Sequence, residues 1–152
     1  MKSRRVGFTS PSNGREEFSA SCSRYGEIDV PEQLVLLAHR LVTGQSVDGF
    51  LCLNGESEAY RMGTHCDGSL LRIVIDRLAG DGFRYIGATS TALSAAKTEQ
   101  TVMGMETQAR AFAREVWREF SKIDVEWYET NWFPFPRLTF DALTDYIKYR
   151  AL

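Results

Sequence analysis

The chain has 152 residues, of which 43% are hydrophobic, 12% aromatic and 25% charged. This composition excludes a mainly disordered, collagen-like or coiled-coil protein, and the length suits one domain spanning 1–152. Eighteen basic against twenty acidic side chains leave a net charge of -2, which excludes a general nucleic-acid binder because phosphate affinity needs a basic surface.

The chain opens on a polar stretch, and its first dozen residues are expected to be flexible. Arg5 to Thr9 and Glu17 to Ile28 read as two strands of a hairpin. Pro31 to Val42 reads as a helix: Leu34, Leu37, Ala38, Leu41 and Val42 recur at helical spacing, and Val35 and Leu36 widen the stripe. Asp29 and Glu32 resemble a capping pair and Gly44 supplies a stop. Val47 to Leu53 and Ser57 to Met62 flank Asn54-Gly55, a strong hairpin signal. Ser69 to Ala79 is expected to be helical on Leu70, Leu71, Val74, Ile75 and Leu78, with Gly80 and Gly82 ending it. Phe83 to Ala88 reads as a strand.

Met105 to Ser121 is expected to be a long amphipathic helix on Met105, Ala109, Phe112, Ala113, Val116, Trp117 and Phe120, with Glu106 positioned to pair with Arg110. Ile123 to Tyr128 alternates and reads as a strand, with Trp127 inward and Tyr128 outward. Phe140 to Arg150 is the last expected helix, capped by Thr139. This order implies an α+β or mixed α/β sandwich, with a mixed or antiparallel sheet and about four helices.

The three cysteines, Cys22, Cys52 and Cys66, are odd in number and form no CxxC. They are expected to be reduced thiols of a cytoplasmic protein rather than a disulfide or zinc framework. No secretory leader is read at the N-terminus, and no apolar run approaches the ~20 residues that span a bilayer. No membrane association is expected.

His65, Cys66 and Asp67 are the densest set of potential ligands. A metal would need three or four converging donors, and adjacent residues seldom converge. No metal site, cofactor or catalytic residue is assigned. Arg61 to Gly63 and Gly68 to Leu71, a helix, and then Asp81 to Ile86 resemble the acetyltransferases of the GNAT family. The resemblance covers residues 59–88. It implies a turn whose backbone amides hold the pyrophosphate of acetyl-CoA at a helix N-terminus. The pattern departs at Thr64, His65, Cys66 and Asp67, where the glycine spacing differs and Asp67 would repel the pyrophosphate.

Asp124 and Glu126 would share a strand face, a pattern seen in acid–base pairs and on solvated strands alike. Arg110, Arg114 and Arg118 alternate with glutamates, which points to local pairing. The most unusual stretch is Trp127 to Phe135, where Trp127, Tyr128, Trp132, Phe133 and Phe135 are aromatic. Pro134 and Pro136 stiffen the segment, and stiff aromatic loops lose little entropy on binding.

The expected function is therefore a non-catalytic protein-binding module of the inhibitor or immunity type, neutralising a basic protein partner such as a toxin or effector. Asp124, Glu126, Tyr128, Glu129, Trp132 and Phe133 would form the partner-binding face, on a monomer or small homo-oligomer. The alternative is a small acyltransferase-like or hydrolytic enzyme.

Overall fold

The structure is a computed structural model. It describes the backbone of residues 3–9 and 17–23, and residues 30–55, 57–132 and 134–150. The fold is α+β, as the alternation of strand and helix signals implies. Strand β1 (Ser3–Thr9) pairs antiparallel with β2 (Glu17–Ser23), with Ser3 opposite Ser23 and Thr9 opposite Glu17. The expected N-terminal hairpin therefore forms. Of the first dozen residues, expected to be flexible, 3–9 form β1; residues 1–2 and 10–12, residues 24–28 of the second expected strand, and Asp29 of the capping pair lie outside the described residues.

Two compact units follow from the contact pattern. The first contains the stretch up to Val30 with Asp48–His65 and Leu71–Thr107. Its centre is an antiparallel sheet in the order β3 (Val47–Asn54), β4 (Ala59–Asp67), β5 (Leu70–Leu78), β6 (Thr98–Gln108). A 3-10 turn (Gly82–Tyr85) and the short helix α2 (Ser90–Ala95) connect β5 to β6. The second unit contains Pro31–Val47, Cys66–Leu70 and the chain from Gln108 onward. Its helices are α1 (Val30–Val42), α3 (Ala109–Ser121), α4 (Val125–Asn131) and α5 (Arg137–Asp145), and α5 runs on into a π turn (Tyr146–Arg150).

Helix α1 is where the apolar spacing places it. Leu34, Val35, Leu37, Ala38, Leu41 and Val42 are all buried. Gly44 ends it at φ +74, a left-handed conformation that only glycine adopts cheaply. The Asn54-Gly55 hairpin likewise joins β3 to β4.

The segment expected to be a second helix is instead strand β5. Leu71, Ile73 and Ile75 are fully buried, while Arg72 and Val74 between them are exposed. That is period two, although the same residues also fit a period of 3.6. Three consecutive β-branched residues, Ile73, Val74 and Ile75, favour the strand. The decisive element is Asp67-Gly68: Gly68, at φ +80, turns the chain back on β4 in a tight hairpin.

The third expected helix begins four residues late for a linked reason. Once β5 is a strand, its free edge offers N–H and C=O groups that need partners. Residues 98–108 supply them as β6, and the helix starts at Ala109. Arg72 meets Glu106 at 2.8 Å and Arg77 meets Glu99 at 2.9 Å, so the two strands run in opposite directions. Glu106 therefore pairs across the sheet rather than with Arg110.

The expected strand Phe83 to Ala88 is a 3-10 turn and a bend. Gly80 (φ +88) and Gly87 (φ +68) bracket it, and Asn54 Nδ2 donates to the Gly82 carbonyl at 2.7 Å. The expected strand Ile123 to Tyr128 is helix α4. The last helix begins at Arg137 behind Pro136 rather than at Phe140, because proline suits a helix entrance. Thr139 is thus inside the helix and not its cap.

Candidate functional site

Asp124 explains why α4 is a helix. Its Oδ1 accepts the Trp127 backbone N–H at 3.0 Å, satisfying one of the unpaired donors of the first turn. Helical spacing then turns Val125, Tyr128 and Trp132 toward the unit's interior. Tyr128 is completely buried, with its ring edge-on to Phe135 at 5.6 Å between centroids. Phe135 is in turn edge-on to Phe140 at 5.3 Å and tilted against Phe120 at 6.3 Å. Such aromatic pairs each add about 0.5–1.5 kcal/mol beyond burial.

The same geometry puts Glu126, Trp127, Thr130 and Asn131 on the solvent side. Trp127 is 63% exposed. The orientations expected for Trp127 and Tyr128 are therefore reversed, because the segment turns by about 100° per residue rather than by the 180° of a strand. Asp124 and Glu126 do not share a strand face: one is the N-cap and the other lies in the first turn.

Glu129 is committed within the fold. Its Oε1 accepts the Phe135 N–H at 3.3 Å and Arg137 Nε at 3.1 Å. These bonds hold its carboxyl below the usual carboxylate range, the Arg137 bond contributing most. They fold the proline-containing loop back on α4. Trp132 is half-buried at the helix end, and its backbone N–H bonds to Tyr128 O at 2.8 Å. Phe133 lies outside the described residues. Of the six expected partner-binding residues, Asp124, Glu126 and Glu129 are exposed, Trp132 is half-buried and Tyr128 is interior. The exposed ring is Trp127, which the strand reading placed inside.

The His65, Cys66, Asp67 cluster is not assembled. On β4 these residues alternate, so Cys66 is 2% exposed while His65 and Asp67 project to the other side. Burial and the Asp67 charge push the Cys66 thiol up, away from thiolate character. His65 Nδ1 lies 3.6 Å from Asp48 Oδ1 in an exposed cross-strand pair. Among the described residues, no group of three His, Cys, Asp or Glu is placed to hold a metal.

Arg118 pairs with Glu115 at 2.5 Å and Lys122 with Glu119 at 2.6 Å on exposed surface, as local pairing implies. Lys122 also holds the Glu119 carboxyl below its usual range.

A polar centre not anticipated from the sequence surrounds Arg61. Its side chain is 11% exposed and that of its partner Asp76 is 13% exposed. Arg61 Nη2 donates to Asp76 Oδ2 at 2.9 Å and to Thr98 Oγ1 at 2.7 Å. Arg61 Nη1 donates to the carbonyls of Leu93 at 2.7 Å, Ala96 at 3.1 Å and Ser94 at 3.4 Å. Thr101 Oγ1 donates to the other Asp76 oxygen at 2.6 Å, and the guanidinium carbon lies 5.5 Å from the centre of the Phe50 ring.

This centre also corrects the acetyltransferase resemblance. Arg61, which opens that motif, is engaged inside the fold. Gly68 leads into strand β5, so the helix N-terminus that should receive a pyrophosphate does not follow the turn. An arginine between the Asn54-Gly55 and Asp67-Gly68 turns carries no signal of burial, and its partner Asp76 lies on the next strand.

No family model matches the chain, and no characterised protein or solved structure is significantly similar to it. Among the described residues, no helix is long and apolar enough to cross a membrane.

Proposed function

We propose that the chain is a non-catalytic protein-binding module of the inhibitor or immunity type, which covers a basic protein partner such as a toxin or effector. The observation that carries this reading is Trp127, a 63% exposed indole on the outer side of α4. Tryptophan is among the residues most enriched at interface hot spots, and it has few rotors to immobilise. The helix beneath it is held firmly by the Asp124 cap, the buried Tyr128 ring and the Glu129–Arg137 pair. Asp124 and Glu126 flank the indole, and no basic residue occurs from Asp124 to Pro136. An aromatic anchor beside carboxylates that form no salt bridge among the described residues suits a basic surface.

The test is co-purification from the cells that make the protein, with three baits compared: wild type, Trp127→Ala, and Asp124→Asn with Glu126→Lys. A basic protein retained by wild type and lost from both variants supports the proposal. An identical set of captured proteins on all three baits sinks it. The enzyme alternative is read by thermal shift with acetyl-CoA, nucleotides and divalent metals. A ligand at 100 times its Kd adds about 2.7 kcal/mol of stability, and such a shift would favour that class instead.

A further inference from the structure

Residues 80–96 form the connection from β5 to β6, and they lie over one side of the sheet. Their base is closed by the Ala79 N–H bond to Lys97 O at 2.9 Å. Their contact with the sheet is small. Leu93 packs against Ala59 and Leu78, with Phe50, Cys52, Tyr85, Ala88 and Ala96 at the edge of the cluster. Leu93 is the one buried side chain in α2, a six-residue helix far too short to persist by itself. Gly80 and Gly87, both at positive φ, provide pivots.

Among the described residues, the side-chain bonds from the sheet to this segment are placed at its ends, and within it the Tyr85 hydroxyl donates to the Ala79 carbonyl at its base. Asn54 holds its start through the Gly82 carbonyl. Arg61 holds its end, and the guanidinium divides its work. Nη2 is bound to Asp76 and Thr98, both on the sheet, whereas Nη1 is bound to Leu93, Ser94 and Ala96, all on the connection. Releasing the Nη1 bonds leaves Arg61 still paired with Asp76, so its charge is not stranded. This is the arrangement of a latch rather than of a fixed strut.

We infer that residues 80–96 are a latched strap, which opens as a unit while the sheet stays folded and uncovers an apolar cup formed by Phe50, Cys52, Ala59 and Leu78. The strap and the cup both lie in the first unit, and the proposal is independent of the binding face on α4. Local opening below the free energy of global unfolding is the ordinary behaviour of segments with little buried apolar contact. The uncovered cup matches one leucine-sized apolar side chain, since Leu93 fills it when the strap is shut.

Two native thiols report the two events separately. Cys52 lies at the cup edge, where burial pushes its thiol up to about 11. Cys66 is buried near the end of β4, outside the cluster under Leu93, and reports opening that is not confined to the strap. The experiment is iodoacetamide labelling of the intact protein, with the two sites resolved by peptide mass spectrometry.

In wild type, Cys52 is expected to label faster than Cys66. Arg61→Lys keeps the charge for Asp76 but cannot span both sets of acceptors. It should speed Cys52 labelling on the order of ten-fold, the worth of one charge-assisted hydrogen bond, and leave Cys66 unchanged. Leu93→Ala, which leaves the ion pair untouched, should do the same and serves if the lysine variant is poorly folded. Equal labelling of the two thiols in wild type, or a Cys52 to Cys66 ratio unmoved by Leu93→Ala, overturns the inference.

Discussion

Replacing Arg61 by methionine removes the guanidinium while keeping most of the volume of its stem. Asp76 is then left with its carboxylate 87% covered and, among the described residues, the Thr98 and Thr101 hydroxyls beside it. Breaking a buried pair by deleting one partner costs about 3–5 kcal/mol, because the remaining charge is uncompensated. Three carbonyls at the end of α2 each lose one donor as well. The expected loss is therefore about 3–5 kcal/mol, a large share of the ~5–15 kcal/mol that holds a typical domain together. In a chain of this size it corresponds to a fall in Tm of roughly 6–20 °C, at about 2–4 °C per kcal/mol.

The assay is urea denaturation, with Arg150→Met as the control. Arg150 pairs with Asp145 at 3.0 Å, but both side chains are more than half exposed, so that substitution should cost less than about 1 kcal/mol. Adding Asp76→Leu to Arg61→Met should recover much of the loss, because an apolar pair of similar volume removes the stranded charge. A cost for Arg61→Met no larger than for Arg150→Met would refute the claim that this centre is buried and coupled.

Other expectations follow from the helix at 125–131 and from the turns. Tyr128→Ala should cost about 3–5 kcal/mol, as for other large aromatic deletions in a core, whereas Trp127→Ala should stay within about 0.5 kcal/mol; the opposite order in thermal melts would restore the strand reading. Gly68→Ala should lose about 1–2 kcal/mol from the left-handed turn it occupies, and an unchanged Tm would contradict the β4–β5 hairpin. The Glu129 carboxyl lies below its ordinary 4.5 in the fold, so its contribution is present above about pH 4.5 and is lost as pH falls through the lower folded value. Glu129→Gln should therefore flatten stability against pH between about pH 4.5 and the lower folded value, and a parallel acid fall in both proteins would count against the Arg137 and Phe135 bonds.

The legible parts of the chain are those where one period dominates. Helix α1 has six buried positions at helical spacing with a glycine stop, and no strand could bury them on one side. The Asn54-Gly55 turn is local chemistry, and it forms. Residues 70–78 are different, because Leu70, Leu71, Ile73, Val74, Ile75 and Leu78 satisfy both periods at once. There the Asp67-Gly68 turn, with the β-branched run behind it, was the better guide. Misreading β5 also displaced β6, because a strand exists only against its neighbour.

The candidate site divides in the same way. Aromatic richness near the C-terminal end was plain from the residues, and so was the acidic company of the indole. Which ring faces water depended on whether six alternating residues formed a strand or a helix, and that turned on one cap bond from Asp124. The Arg61–Asp76 centre was illegible for a different reason: its members come from β4, β5, β6 and the end of α2, and only the paired strands bring them within 3 Å. Composition and short-range pattern thus determined the α+β class, helix α1, the N-terminal hairpin and the Asn54-Gly55 hairpin, since these depend on neighbours in the chain. Sheet order, the outward turn of Trp127 and the buried charge pair were decided by tertiary structure, because burial and ion pairing depend on partners far away in sequence.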